Sequence, residues 1–118
     1  MGACLGHQAI GEAFGGTLTN LTSVFHGVAT PIQVKSERSK VKHDLFENLP
    51  QEFEVGRYHS WVVSEEGFPK ELEITARDAN NFIMALHHKK YDIQGVQFHP
   101  ESVLTPRGEE ILRNWLKN

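Results

Sequence analysis

The sequence predicts a mixed α/β domain with one helix near each end and a run of β-strands between them. Three observations predict it. Apolar residues recur at helical spacing just after the N-terminus, β-rich pieces separated by turn residues fill the middle, and Thr105-Pro106 opens a second amphipathic stretch near the C-terminus. Among these elements the strands far outnumber the helices.

In the first element, Leu5, Ala9, Ile10, Ala13 and Phe14 fall at i, i+4, i+5, i+8 and i+9, which places apolar groups on one face of a helix. Gly15-Gly16 ends it, because glycine accepts the left-handed conformation at a helix C-terminus. Thr17 to Leu21 and Phe25 to Val34 read as short strands, with Gly27 and Pro31 as punctuation. Lys35 to His43 holds Lys35, Arg38, Lys40 and Lys42 against Glu37 alone, with almost no apolar content, and reads as a solvated loop or hairpin tip. Asp44 is placed to cap a short turn through Leu45, Phe46 and Leu49, which Pro50 ends. Phe53 to His59, Trp61 to Ser64, Leu72 to Ala76, Phe82 to His87 and Ile93 to Phe98 are the further strands, joined by turns at Glu66-Gly67-Phe68, Asn80-Asn81 and His88-Lys89-Lys90. In the last helix Thr105 is the expected N-cap and Pro106 the first helical residue, with Ile111, Leu112, Trp115 and Leu116 on its buried face.

No repeat or Gly/Ser linker divides the 118 residues, so residues 1–118 read as a single domain large enough for a packed core without disulfides or metals. A net charge of −3 gives no basic cluster of the kind that displaces counterions from phosphates, which argues against a nucleic-acid partner. No apolar run approaches the ~20 residues that span a bilayer, so no membrane partner is expected. The single cysteine fits a reducing compartment, and a cytoplasmic protein is the expectation.

Cys4 has unusual surroundings. Gly2-Ala3-Cys4-Leu5-Gly6 has the form Gly-x-nucleophile-x-Gly and leads straight into a helix, the pattern of a nucleophile elbow. In such a turn flanking glycines keep side chains from colliding, and the Leu5 amide is free to donate to a developing oxyanion. The helix N-terminus favours thiolate over thiol. Taken alone, the pattern fits a small buried cysteine as well as a nucleophile.

Candidate partners lie near the other end, in Gly95-Val96-Gln97-Phe98-His99-Pro100-Glu101-Ser102. Ile93 to Phe98 is apolar on both faces, as in an interior strand, and His99 follows at its C-terminal edge, where α/β sheets collect active sites. If the chain stays extended through Pro100, His99 and Glu101 project to the same side. A carboxylate so placed holds one imidazole nitrogen and frees the other to take a proton from sulfur, although a surface His and Glu at a strand end fit the residues too. His43, His87 and His88 lie in charged turns or loops without metal-ligand spacing, so no metal is expected. For His7 and His59 structural hydrogen bonds are expected.

Together the two motifs resemble the class I glutamine amidotransferases. Gly2 to Gln8 matches the family's Gly-x-Cys-Leu-Gly-His-Gln, and Gly95 to Ser102 matches its Gly-Val-Gln-Phe-His-Pro-Glu-Ser. Within the family the chain most resembles the small glutaminase subunit of anthranilate synthase and of aminodeoxychorismate synthase, through Gly56-Arg57-Tyr58-His59-Ser60, His26-Gly27 and Leu104-Thr105-Pro106-Arg107-Gly108. The resemblance covers the whole chain. It implies a flavodoxin-like mixed sheet flanked by helices, with Cys4 as nucleophile, His99 as base and then acid, and Glu101 orienting His99. It also implies that Leu5 supplies an oxyanion amide, that Gln8 contacts bound glutamine, and that Ser60 and the backbone of Trp61 hold its α-amino and α-carboxylate groups. Trp61 stands where the family usually has leucine, and Val28-Ala29-Thr30 departs from the Lys-Thr-Ser common after His-Gly.

The implied activity is hydrolysis of glutamine to glutamate and ammonia, with ammonia passed to a chorismate-binding synthase subunit. That subunit would carry magnesium and chorismate, and this chain needs no cofactor. Two alternatives are a glutaminase for GMP or carbamoyl phosphate synthesis and a non-catalytic remnant that only binds a partner. Members of the family have further strands and helices before the nucleophile, so on this reading the domain is truncated at the elbow and expected to be weakly active alone.

Overall fold

The computed structural model describes residues 1–41 and 43–117. Its elements are β1 (Gly2–Ala3), α1 (Leu5–Ala13), β2 (Leu18–Val34), β3 (Glu52–Val63), β4 (Leu72–Asp78), β5 (Ile83–His88), β6 (Gln94–Val96) and α2 (Gly108–Leu116). They form a six-stranded sheet in the order β1-β6-β5-β4-β2-β3, mixed because β1 runs parallel to β6 while the other neighbours are antiparallel. The expected α/β class holds.

Several elements differ from expectation in ways that shape the site. The pieces expected at residues 17–21 and 25–34 are one strand, and those at 53–59 and 61–64 are another. These long strands pair as a hairpin with register shifts between Asn20 and Phe25 and between His26 and Val28. Bulges of this kind bend and twist a strand pair. The bend carries β3, at the far edge from β1 in strand order, back over the sheet: Gln8 Nε2 on α1 donates to the Trp61 carbonyl at 3.0 Å, and the His99 amide donates to the Gly56 carbonyl at 3.0 Å.

The helices also differ. The buried residues of α1 are His7, Gln8 and Gly11, while Leu5 is 77% exposed and Ala9 and Ala13 are exposed. Helical periodicity located the element and part of its inner face, since Ile10 and Phe14 pack on the core, but its fully buried positions are His7, Gln8 and Gly11. Gly11 lets the helix approach β3, since a Cβ there would meet Val63 Cγ2 at 2.9 Å. At the other end, α2 begins after Arg107 with no side-chain cap. Thr105 is not its N-cap, because its hydroxyl is spent on the backbones of His99 and Gly56. The inner face of α2 holds Ile111 and Asn114 with Trp115 half-buried, whereas Leu116 is 74% exposed. Asn114 Nδ2 donates to the carbonyls of Leu45 and Glu47 at 2.8 and 2.9 Å, so a polar residue fastens the helix to the turn that Asp44 caps through the Phe46 amide.

The core has two parts. Ile32, Val55, Met84, Val96, Phe98 and Ile111 anchor the cluster under α2, and Val63, Leu72, Ile83 and Leu86 pack against Ile10 and Phe14 of α1. Of the basic segment 35–43, Arg38 pairs with Asp44 at 2.6 Å, and Lys42 lies outside the described residues. Among the described residues no helix is long and apolar enough to cross a membrane.

Candidate active site

Cys4 occupies the one-residue junction between β1 and α1, with φ 52° and ψ −103°. A non-glycine residue at such a φ costs on the order of 1–3 kcal/mol and persists only where its surroundings enforce it. Here the Cys4 amide donates to the Val96 carbonyl at 2.8 Å, while its own carbonyl accepts the first helical bond from Gln8 at 3.1 Å. Sheet and helix therefore fix the residue from both sides. Gly2 is required by close approach, because a Cβ there would lie 2.7 Å from the Gly6 carbonyl carbon and 2.8 Å from its oxygen. Gly6 has the opposite setting: a Cβ there would meet nothing within 4 Å. The expected collision on both flanks is thus real on one only.

The sulfur is half-buried. Sγ lies 3.8 Å from the Tyr58 carbonyl and 3.8 Å from Gln97 Nε2, and these, not His99, are its polar partners among the described residues. Burial pushes the Cys4 thiol up; the Leu5 amide opposes the shift and the Glu101 charge adds to it. The expected pull of the helix N-terminus toward thiolate is opposed by burial, which outweighs the Leu5 amide.

His99 is the expected base. Its Nδ1 lies 3.0 Å from Glu101 Oε2, its ring meets the Tyr58 ring edge-on with centroids 5.1 Å apart, and Tyr58 also offers the carbonyl that touches Cys4. The pairing of His99 with Glu101 is as expected, but its cause is different. The chain turns at Pro100, with the Ser102 amide donating to the His99 carbonyl at 3.2 Å, so a turn and not the period of a strand brings the two side chains together. That turn is held at both ends. Thr105 Oγ1 donates to the His99 carbonyl at 2.7 Å and accepts from the Gly56 amide at 2.8 Å. Gly108 lies against it so closely that a Cβ would fall 1.7 Å from the Pro100 oxygen.

Gln8 is buried one helical turn beyond Cys4, and its Nε2 donates to the Trp61 carbonyl at 3.0 Å and to Gln97 Oε1 at 3.3 Å. The Trp61 carbonyl takes a second bond from His59 Nδ1 at 3.0 Å. With both lone pairs of that oxygen occupied, any contact of Trp61 with a ligand falls to its amide. Ser60, beside it, is half-buried. His59 has the hydrogen bonds expected of it, and its pKa is lowered to about 4 by burial first and the Arg57 charge second. His7 does not: its ring is fully buried against Gly95, and neither nitrogen has a hydrogen-bond partner among the described residues. Burial lowers its pKa to about 4, and the nearby Gly95 main chain opposes that without reaching hydrogen-bond geometry.

Residues without a role in the sequence motifs complete the picture. Tyr58 touches both Cys4 and His99, Gln97 lies under the sulfur, and Thr105 holds the His99 backbone. Of these, Gln97 carried a signal in the sequence, as one of two glutamines in the strand expected at Ile93 to Phe98. A strained cysteine at a strand-to-helix junction and a His-Glu pair that shares its Tyr58 neighbour make a candidate site of the nucleophile-elbow type.

The chain belongs to the class I glutamine amidotransferase family, whose model matches residues 1–118. Among curated proteins it is 52% identical to a Haemophilus influenzae protein provisionally named anthranilate synthase component II, covering 98% of this chain and 58% of that one. It is 48% identical to anthranilate synthase beta subunit 1, chloroplastic, of Oryza sativa subsp. japonica, covering 98% of this chain and 40% of that one. Among solved structures it resembles a Thermoplasma acidophilum protein provisionally named for a GMP synthase subunit, with TM-score 0.84 and 28% identity over 98% of this chain and 54% of that one. The chain spans about half the length of the relatives it matches.

Proposed function

We propose that the chain is the glutaminase part of an anthranilate synthase type of enzyme, with Cys4, His99 and Glu101 as its catalytic residues. The observation that carries this is the elbow cysteine standing across Tyr58 from the His99–Glu101 pair. His99 Nε2 takes the thiol proton as sulfur attacks the side-chain amide carbon of glutamine. The resulting oxyanion is met by the Leu5 amide at the start of α1. As the C–N bond breaks, His99 returns the proton to the leaving nitrogen and ammonia departs. Water, deprotonated by the same imidazole, then cleaves the γ-glutamyl thioester to glutamate and the free thiol. Glu101 holds Nδ1–H throughout and stabilises the imidazolium. Gln8, Ser60 and the Trp61 amide hold the amino-acid end of glutamine. No metal or organic cofactor enters these steps.

The similarity to proteins named for anthranilate synthase components supports transfer of the ammonia to a chorismate-using synthase subunit. With that subunit present, the protein should release glutamate from glutamine and support formation of anthranilate. Cys4→Ser should abolish both while leaving synthesis from added ammonia intact; unchanged glutamine use by Cys4→Ser would refute the assignment. The likeness to a structure named for GMP synthase favours a second reading, a glutaminase for another synthetase. Formation of 4-amino-4-deoxychorismate or GMP in place of anthranilate, with the matching partner, would identify it.

A further inference from the structure

We propose that Arg57 and Asp78 are positioning residues of the glutamine site, acting through the protonation pattern of His59 on the backbone of Trp61. The inference rests on the glutaminase reading above. Asp78, at the end of β4, is fixed by the following turn: its Oδ1 accepts from the amides of Asn80 at 2.9 Å and Phe82 at 2.8 Å. Its Oδ2 accepts from Arg57 Nη1 at 2.7 Å, in a pair whose side chains are only 2% and 1% exposed. The guanidinium is held further by Thr30 Oγ1 at 3.2 Å and by the Phe25 ring, whose centroid is 3.6 Å away. Arg57 and His59 lie on the same face of β3, and Arg57 Nε reaches His59 Nε2 at 3.0 Å.

That contact determines the histidine. A guanidinium has donors only and stays charged, so Nε2 must present its lone pair and the ring proton must sit on Nδ1. Nδ1 is the atom that faces the Trp61 carbonyl at 3.0 Å, the oxygen to which Gln8 also donates. Phe25 stacks on the His59 ring with centroids 5.4 Å apart, which fixes its plane. The bonds thus run unbroken from Asp78 through Arg57 and His59 to the wall beside Cys4. Buried ion pairs contribute little net stability compared with apolar residues of similar volume, but an apolar pair could not select the tautomer of His59.

The charged or titratable groups that face His59 are Arg57 on its own strand, Asp78 from β4, His99 from beyond β6 and His7 from α1. Removing the first two together, as R57M/D78N, deletes both charges and leaves an Asn oxygen for the Asn80 and Phe82 amides. With the protein and its synthase partner, this variant should fold with a Tm within a few degrees of wild type and keep kcat within about twofold, while KM for glutamine rises about tenfold. Its KM should fall back toward the wild-type value as pH drops below about 6.5, where protonation of His59 restores the Nδ1–H that faces the Trp61 carbonyl, whereas the wild-type KM stays flat there. Alkylation of Cys4 by iodoacetamide, which needs no glutamine pocket, should proceed at the wild-type rate. Unchanged KM in the folded variant, or a parallel loss of kcat and alkylation, overturns the proposal. Should the double variant not fold, nitrogen-15 shifts of His59 in wild type and in R57Q decide. Wild type should show Nδ1–H alone, R57Q, whose amide can accept as well as donate, a mixture, and identical patterns in the two would refute the link. A wild-type protein that neither hydrolyses glutamine nor reacts with a glutamine-analogue electrophile would instead defeat the glutaminase reading, leaving the Arg57–His59 link to the nitrogen-15 result.

Discussion

One hydroxyl braces the His99 backbone against β3. Thr105 Oγ1 donates to the His99 carbonyl at 2.7 Å and accepts from the Gly56 amide at 2.8 Å, and both Thr105 and Gly56 are buried. Thr105→Val keeps the shape and deletes both bonds. Each is worth about 0.5–1.5 kcal/mol net, and the Gly56 N–H is left without its acceptor in a dry site, so the expected loss is about 2–4 kcal/mol. For 118 residues, an unfolding entropy of roughly 2.1 cal/mol/K per residue converts this to a Tm lower by about 8–16 °C. Calorimetry reads that shift. Glutaminase assays should show kcat reduced at least about tenfold with a smaller change in KM, because a displaced imidazole harms proton transfer more than glutamine binding. Thr105→Ser should recover most of both. A Thr105→Val protein that melts within about 2 °C of wild type and turns over normally would refute the argument.

Three further outcomes follow from the site. Gly2→Ala forces a Cβ into the Gly6 backbone and should lower stability by roughly 2 kcal/mol or more with loss of Cys4 reactivity. Gly6→Ala, facing open space within a helix, should leave chemical denaturation unchanged or improve it by up to about 1 kcal/mol. His7, lowered to about 4 from its ordinary 6.5, is neutral when folded and takes up a proton more readily when unfolded. Its contribution is therefore complete above pH 6.5 and is lost as pH falls toward 4, by about 3 kcal/mol. His7→Met should flatten the fall in urea stability across that window, and equal slopes in the two proteins would contradict the assignment. Because burial raises the Cys4 thiol, its alkylation in the free protein should keep accelerating above pH 9.0, and a plateau below pH 8 would contradict it.

What the sequence made legible was local. The elbow motif, the His99–Glu101 spacing and the order of helices and strands are each written within a few neighbouring residues, and each has its counterpart in the structure. What it concealed was long-range. Tyr58 and Thr105 meet Cys4 and Gly56 where a bulged hairpin folds β3 back over the sheet, and no local pattern records a bend. The inner face of α1 differs from its periodicity for a related reason. Its buried residues are a histidine, a glutamine and a glycine, so the pocket overrides the apolar periodicity that usually marks a buried face. Thr105-Pro106 imitated a helix cap because the same hydroxyl chemistry serves a cap or a cross-strand brace, and only tertiary packing decides between them.

The central claim is that Cys4 is the residue to which glutamine becomes bonded. Its most direct test is peptide mass mapping of the protein, with its synthase partner, after treatment with a glutamine-analogue electrophile. A single adduct on Cys4, prevented by glutamine, absent from Cys4→Ser and proportional to the glutaminase activity lost, is the predicted result. Glutamine hydrolysis that continues with Cys4 fully blocked would contradict it.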